Sequence, residues 1–465
     1  MSKLQAVSLF LIAVVLARDV YAEQSVIAPA GRRTKLLAQW EKLEYGMFIH
    51  YGMSTFTGDY RTNKNSKSTV YAPTDLDVRQ WIRTARLAGM KYAVLTAKHT
   101  LGHCLWDSKD YLYDVASSTD KTDIVAEFIA ACRAESIKPG IYYCVLDIHN
   151  EGGSELKWKA AVQPEYHARI KRHLTELHTK YTDIFEQWID IPHKLSPRQR
   201  WDIYRLVKKL NPDCLVIMNA GFRDGAEISQ GAWPTDLTDG EKTLPPASGH
   251  DPVKDIDGKK HYIPMEVCDT VTANWFWHQT DKPRSVRHLY YLYSESLRRG
   301  ANFLLNVSPD TTGQIPSEQV DTLMALRKMI DNPESFRPSI VTGAELKASN
   351  VFGNQSQYAP QKAADNSWDT RWATDAGLKN AWLEIDLKKP EIFDSVLISE
   401  GWGRIRKFQL QYKKQGKWQT FLEGTRIGPD YQRKFKPVTA QYVRLNVIES
   451  TDGPTLWEFQ LLAPE

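Results

Sequence analysis

Cysteine is scarce in this chain: five residues, Cys104, Cys132, Cys144, Cys214 and Cys268, odd in number, in apolar surroundings and without CxxC spacing. That usage speaks for buried thiols, against a disulfide framework and against a zinc site. Charge of one sign is lacking as well. A formal net charge of +4 over 465 residues implies no polyanion as an obligate partner, so no nucleic acid is expected. No glycine-rich fingerprint follows the first strand-like segment, which weighs against a dinucleotide-binding fold. Long hydrophobic runs are missing apart from Ala6 to Ala17. That run is too short to span a bilayer, lies behind Lys3 and is followed by Val20-Tyr21-Ala22, so residues 1–22 read as a signal peptide cleaved after Ala22. The expected location is periplasmic or secreted, with no membrane span. What the chain has in surplus is flat amphipathic rings, 15 Trp and 21 Tyr, which suit carbohydrate handling as well as core packing.

From about Lys35 to Asn332 strand-like and helix-like segments alternate. Strands are expected at Met47-Phe-Ile-His50, Tyr92 to His99, Gly140 to Leu146, Asp183 to Asp190 and Cys214 to Asn219. Helices are expected at Asp77 to Ala88, Ile124 to Ser136, Glu165 to Lys180 and Pro197 to Leu210. The alternation predicts a parallel α/β fold, a (β/α)8-like TIM barrel rather than an open sheet. Beyond about Leu346 short alternating strands between Gly, Pro and Asn turns predict an all-β, jelly-roll-type sandwich. The expected domains are 23–340 for the barrel and 341–465 for the sandwich.

Asp183-Ile-Phe-Glu-Gln-Trp-Ile-Asp190 is the stretch most suggestive of chemistry. Period-two geometry puts Trp188 and Asp190 on one face, and Pro192 ends the strand at Asp190. In a β/α barrel catalytic side chains collect at that rim, although an Asp there also serves as a helix cap. His50, His99, Asp190 and Asn219 all fall at strand ends and in phase, so all four could face one mouth.

At Met47-Phe-Ile-His-Tyr-Gly52, Ala88-Gly-Met-Lys-Tyr92, Leu95-Thr-Ala-Lys-His99, Cys104-Leu-Trp-Asp-Ser108, Trp188-Ile-Asp190 and Asn302-Phe-Leu-Leu-Asn306 the chain resembles the family 29 glycoside hydrolases, the α-L-fucosidases. The resemblance implies a retaining exo-glycosidase that releases α-L-fucose through a covalent glycosyl–enzyme intermediate, needs no catalytic cofactor and acts on fucose-containing or related glycans. It implies Asp190 as nucleophile and His50, Asp59, Tyr60, His99, Thr100, Tyr142, Trp188, Arg223 and Trp275 as sugar contacts, with Tyr143 a rival to Tyr142. Departures are present: Thr100 stands where a second histidine is usual, Leu101 where an aspartate is, Asp59-Tyr60 where Glu-Trp is common, and Ile191 where a glycine follows the nucleophile. Two other readings therefore stay open, hydrolysis of another α-L-glycoside (L-galactose-like or substituted fucose) and a non-catalytic carbohydrate-binding homologue.

Retention needs two carboxyl groups about 5 Å apart, the acid with a raised pKa. The resemblance leaves the acid/base open among Glu241, on a Gly/Pro-punctuated loop, Glu266 and Glu227, with Asp236 and Asp239 weaker because their side chains are shorter. The C-terminal part, through Ala364-Asp-Asn-Ser-Trp-Asp-Thr-Arg-Trp372 and Trp457-Glu458-Phe459, resembles discoidin-like domains including family 32 carbohydrate-binding modules. That likeness implies a structural Ca²⁺, with Asp365 and Glu458 at contributing positions. Trp402 and Tyr431 are candidate sugar platforms or packing residues.

Overall fold

The computed structural model describes residues 30–59, 65–151, 162–219, 230–335 and 339–464. They group into two compact units. One holds the chain up to Thr270 with Asn274–Gln279 and Ser296–Pro316. The other holds Val271–Ala273, Thr280–Glu295 and everything from Ser317 onward.

The first unit is a near-closed parallel barrel. Its strands are β1 (Tyr45–Ile49), β2 (Tyr92–Lys98), β3 (Lys138–Cys144), β4 (Glu186–Asp190), β5 (Leu215–Asn219), β6 (Thr238–Glu241), β7 (Met265–Thr270) and β8 (Ala301–Asn306). Neighbours run β5-β4-β3-β2-β1-β8-β7-β6, and the parallel bridge Ile217–Leu237 joins the two ends. β1, β2, β5, β7 and β8 are buried throughout, because helices cover the outer face and side chains fill the inner one. The helices start on side-chain caps: Asp77 accepts from Gln80 N, Asp123 from Ala126 N, and Ser196 with Gln199 forms a capping box.

β6 corrects an expectation. Glu241 ends a barrel strand and does not lie on an overhanging loop. Thr-Asp-Gly-Glu has none of the apolar alternation that marks a strand; pairing with β7 through Thr238–Met265 to Glu241–Cys268 makes it one. Gly240 is required there, since a Cβ would come within 2.3 Å of Met265 Cε and 2.6 Å of the Thr243 carbonyl.

The barrel floor disposes of a second candidate. Glu266, near the start of β7, is fully buried and accepts from Tyr92 Oη at 2.5 Å and Trp188 Nε1 at 3.0 Å. Glu186 at the start of β4 accepts from Trp188 Nε1 at 2.8 Å and Trp40 Nε1 at 3.0 Å. Burial and the neighbouring Glu186 carboxyl hold Glu266 well above the usual carboxylate range. Catalytic groups of such barrels sit at the strands' C-terminal ends, so Glu266 belongs to the floor and not the mouth.

The second unit contains an antiparallel β-structure. Strands Trp372–Ala373, Thr455–Leu462, Ala381–Glu400, Tyr431–Ser450, Ile405–Lys414 and Lys417–Gly424 neighbour one another in that order, with Glu345–Ala348 on Ala381–Glu400. The two 20-residue strands carry register shifts at Asp386/Glu391 and Phe393/Ser395, where bulges bend them. Trp372, Leu383, Ile385, Phe393, Ile398, Phe408, Leu445 and Phe459 form its core.

Candidate active site

Two carboxylates meet at the C-terminal ends of the barrel strands. Asp190 is the last residue of β4, Asn219 of β5 and Glu241 of β6. The Asn219 side-chain amide donates to both acids, at 3.0 Å to Asp190 Oδ1 and 3.1 Å to Glu241 Oε2. One nitrogen within hydrogen-bond reach of both acids keeps the two carboxylates close together at the mouth.

The environments of the two acids differ. Asp190 also accepts from Tyr142 Oη at 2.5 Å, from the Ile191 amide and from the Cys144 thiol. Burial pushes its pKa up, and these donors work against that push by favouring the anion. Glu241 has Asn219 and the nearby Lys242 charge on its side, against burial and the charge of Asp190. Its pKa is pushed up to about 7, chiefly by burial. Both acids are raised by burial, but Asp190 has more donors favouring its anion while Glu241 also faces the charge of Asp190, and acid catalysis needs two carboxyls in unlike environments.

Ile191 supplies its amide at a cost. Its φ of 57° lies in the left-handed region, where a β-branched residue is an outlier costing on the order of 1–3 kcal/mol. The glycine usual at this position in the resembling family has a physical reason, and this chain keeps the backbone turn without it.

Around the acids stand His50, His99, Tyr142, Trp275 and Phe276. His50 follows β1 with Nδ1 2.7 Å from Asn306 Oδ1 at the end of β8. Its ring lies 5.4 Å from His99 and 5.0 Å from Trp275. The His99 ring stacks on Tyr142 at 5.4 Å, and its Nδ1 is 3.1 Å from Thr100 Oγ1. Burial pushes His50 down to about 3 and His99 well below the usual imidazole range, so both are neutral hydrogen-bonding groups at working pH. Thr100 touches the site through His99.

The strand-end residues His50, His99, Asp190 and Asn219 thus converge as their phase implied. Tyr142 faces the site while Tyr143 turns outward to His173 at 2.9 Å. Trp188 is fully buried with its indole nitrogen given to Glu186 and Glu266, so it lies one layer beneath Asp190 and forms no wall beside the sugar; residues two apart on a strand face differ in depth. Asp59 is half-buried after the short helix Met53–Thr57, its carbonyl accepting from Thr57 Oγ1. Tyr60, Arg223, Glu227 and the 1–22 segment lie outside the described residues. Asp236 is bonded to Arg33, Tyr204 and Lys208 away from the mouth. Asp239, one layer below Glu241, accepts from the Cys268 thiol. Sequence reasoning missed Asn306 and Phe276 as site residues; Asn306 ends β8 as Asn219 ends β5, and the same strand-end rule would have found it.

In the second unit Glu458 is buried with Oε2 unpartnered, as is Gln460 Oε1. Burial pushes the Glu458 carboxyl up to about 9, with Gln460 and backbone amides opposing and Asp365 adding to the rise. Asp365 accepts from Thr370 Oγ1 at 2.8 Å and meets Lys362 at 3.4 Å. Orphaned carboxyl and amide oxygens beside a second acid fit a hard cation. Among the described residues no three His, Cys, Asp or Glu side chains gather, so backbone oxygens would complete such a shell.

A parallel barrel with two acids on one bridging amide, set among neutral imidazoles and aromatic rings, defines a glycoside hydrolase. The α-L-fucosidase family model matches residues 21–332, and the chain belongs to that family. The F5/8 type C domain model matches residues 345–459. α-L-Fucosidase 1 of Arabidopsis thaliana is 28% identical over 437 residues, spanning 89% of this chain and 81% of its own. A solved glycoside hydrolase 29 family member from an unknown rumen bacterium is 25% identical with a TM-score of 0.54, spanning 92% of this chain and 77% of that one. A Ruminococcus gnavus GH29 fucosidase in complex with fucose has the same fold at 22% identity and a TM-score of 0.52, spanning 93% and 94%. No helix among the described residues is long and apolar enough to cross a membrane.

Proposed function

We propose that this enzyme releases α-L-fucose from glycans with retention of configuration, Asp190 acting as nucleophile and Glu241 as acid/base. The bridging Asn219 amide carries the reading, because it keeps the two carboxylates close together, as a retaining pair requires, while their environments differ. In the first step an Asp190 oxygen bonds to the anomeric carbon as that carbon's bond to the glycosidic oxygen breaks. Glu241 gives its proton to the departing alcohol. The resulting ester has no charge on Asp190, so the repulsion that adds to burial in keeping Glu241 protonated is gone. Glu241, now an anion, takes a proton from water as the water oxygen attacks the anomeric carbon from the face opposite Asp190, and the ester bond breaks. His50, His99 and Trp275 are assigned to the sugar hydroxyls and ring face. Proton NMR of an aryl α-L-fucoside digest tests this: the first sugar to accumulate should be the α-anomer, and the β-anomer appearing first would overturn retention. Turnover of the aryl α-L-galactoside above that of the fucoside would move the substrate to the galacto-configured sugar.

A periplasmic or secreted location is proposed on the N-terminal sequence alone. In the β-domain, Glu458, Asp365 and Gln460 are proposed to hold a structural Ca²⁺. If so, saturating Ca²⁺ at a hundredfold over Kd adds about 2.7 kcal/mol, on the order of 10 °C in that domain's melting temperature. Chelator should reverse the gain, and Glu458→Gln should show no calcium dependence at all.

A further inference from the structure

Lys242 stands directly after Glu241 with φ 52°, a left-handed conformation that lysine seldom adopts. A tight turn holds it there: its amide donates to the Cys268 carbonyl at 2.8 Å, and Thr243 N bonds back to the Gly240 carbonyl at 3.2 Å. Ordinary strand alternation would send residue 242 away from residue 241. The turn instead brings the ammonium over the Trp275 ring, 5.1 Å from its centroid. Trp275 is itself fixed, its carbonyl accepting from Asn306 Nδ2 at 2.8 Å and Ser308 Oγ at 2.6 Å, with its ring 5.0 Å from His50.

Lys242 is solvent-exposed, its ammonium rests on the indole, and among the described residues no carboxylate forms a contact ion pair with it. Next to Glu241 in the chain and seated on the ring that neighbours His50, it stands at the rim of the pocket. A general acid must face the glycosidic oxygen, so the residue beside it flanks the path on which the leaving group extends. A cation with one face against an aromatic ring and no carboxylate in contact with it interacts far more strongly with an anion than with a sugar hydroxyl.

We infer that Lys242 recognises an acidic group, a carboxylate or sulfate, on the aglycone next to the scissile bond, so that the preferred glycans are fucosylated at or beside an acidic unit. This deepens the fucosidase reading and rests on it. The test compares wild type, Lys242→Met and Lys242→Arg on three aryl α-L-fucosides: one neutral, one with a carboxylate on the aryl ring, and one neutral in the aryl ring but 2-O-sulfated on fucose. The quantity read is the ratio of kcat/KM for the carboxylated over the neutral aglycone. Lys242→Met should lower that ratio roughly fivefold to tenfold, mainly through KM, and Lys242→Arg should restore it. Raising ionic strength should erode the wild-type ratio toward that of Lys242→Met. An unchanged ratio in Lys242→Met would overturn the inference. A loss confined to the 2-O-sulfated fucoside would overturn it too, by placing the anion on fucose itself. Failure of the wild type on the neutral fucoside would instead sink the fucosidase reading, a result separate from either.

Discussion

Asp190→Ala should lower kcat/KM on an aryl α-L-fucoside by on the order of 10⁴-fold, with the protein still folded. Asp190 is the acid that four donors hold: Tyr142 Oη, the Asn219 amide, the Ile191 amide and the Cys144 thiol. Removing it leaves Glu241 able to protonate the leaving group but nothing to bond to the anomeric carbon. Azide, small enough for the vacated space, should restore part of the rate and give β-L-fucosyl azide, because it attacks from the side Asp190 had occupied. Wild-type activity must also fall at low pH as Asp190 takes up a proton, and burial sets that limb above the usual aspartate value. Near-normal turnover in Asp190→Ala would remove it from the chemistry and leave it as a hydrogen-bonded strand-end acid.

Glu241→Gln should produce a different pattern, a loss on the order of 10²- to 10⁴-fold that depends on the leaving group. Natural linkages with poor leaving groups should lose most. An activated nitrophenyl fucoside needs little protonation, so its first step should survive while the fucosyl-enzyme accumulates. The alanine variant with azide should yield α-L-fucosyl azide, the opposite anomer from the Asp190 variant, so one pair of products assigns both roles. The pH dependence has a definite sign. Glu241 must be protonated in the first step and is pushed up to about 7, so wild-type kcat/KM should decline as pH rises through about 7. That decline should vanish in Glu241→Gln. A limb that stays in place would return the acid role to another carboxyl, Glu227 being the remaining candidate from the sequence.

Much of the fold was legible because burial leaves a compositional trace. Tyr92 to Lys98 reads as a strand since both its faces are covered, and the helix expected at Pro197 to Leu210 forms with those bounds, closed at its start by a Ser196–Gln199 capping box that the structure adds. β6 was not legible. Its four residues hold one place in the barrel because β7 and the Ile217–Leu237 bridge supply hydrogen bonds from outside the segment. Glu241 therefore looked like a loop acid. Glu266 and Glu241 are both glutamates close to the end of the barrel sequence, and only their depth in the barrel separates floor from mouth.

By itself the sequence determined the barrel, the β-domain, Asp190 at a strand end and the phase that points His50, His99 and Asn219 toward it. These follow from period and punctuation, which are local. Tertiary structure alone decided which glutamate pairs with Asp190, that Asn219 bridges them, that Trp188 lies beneath the site, and that Lys242 turns onto Trp275. Those facts depend on residues far apart in the chain meeting across the barrel, and on burial and neighbouring charge acting through that space.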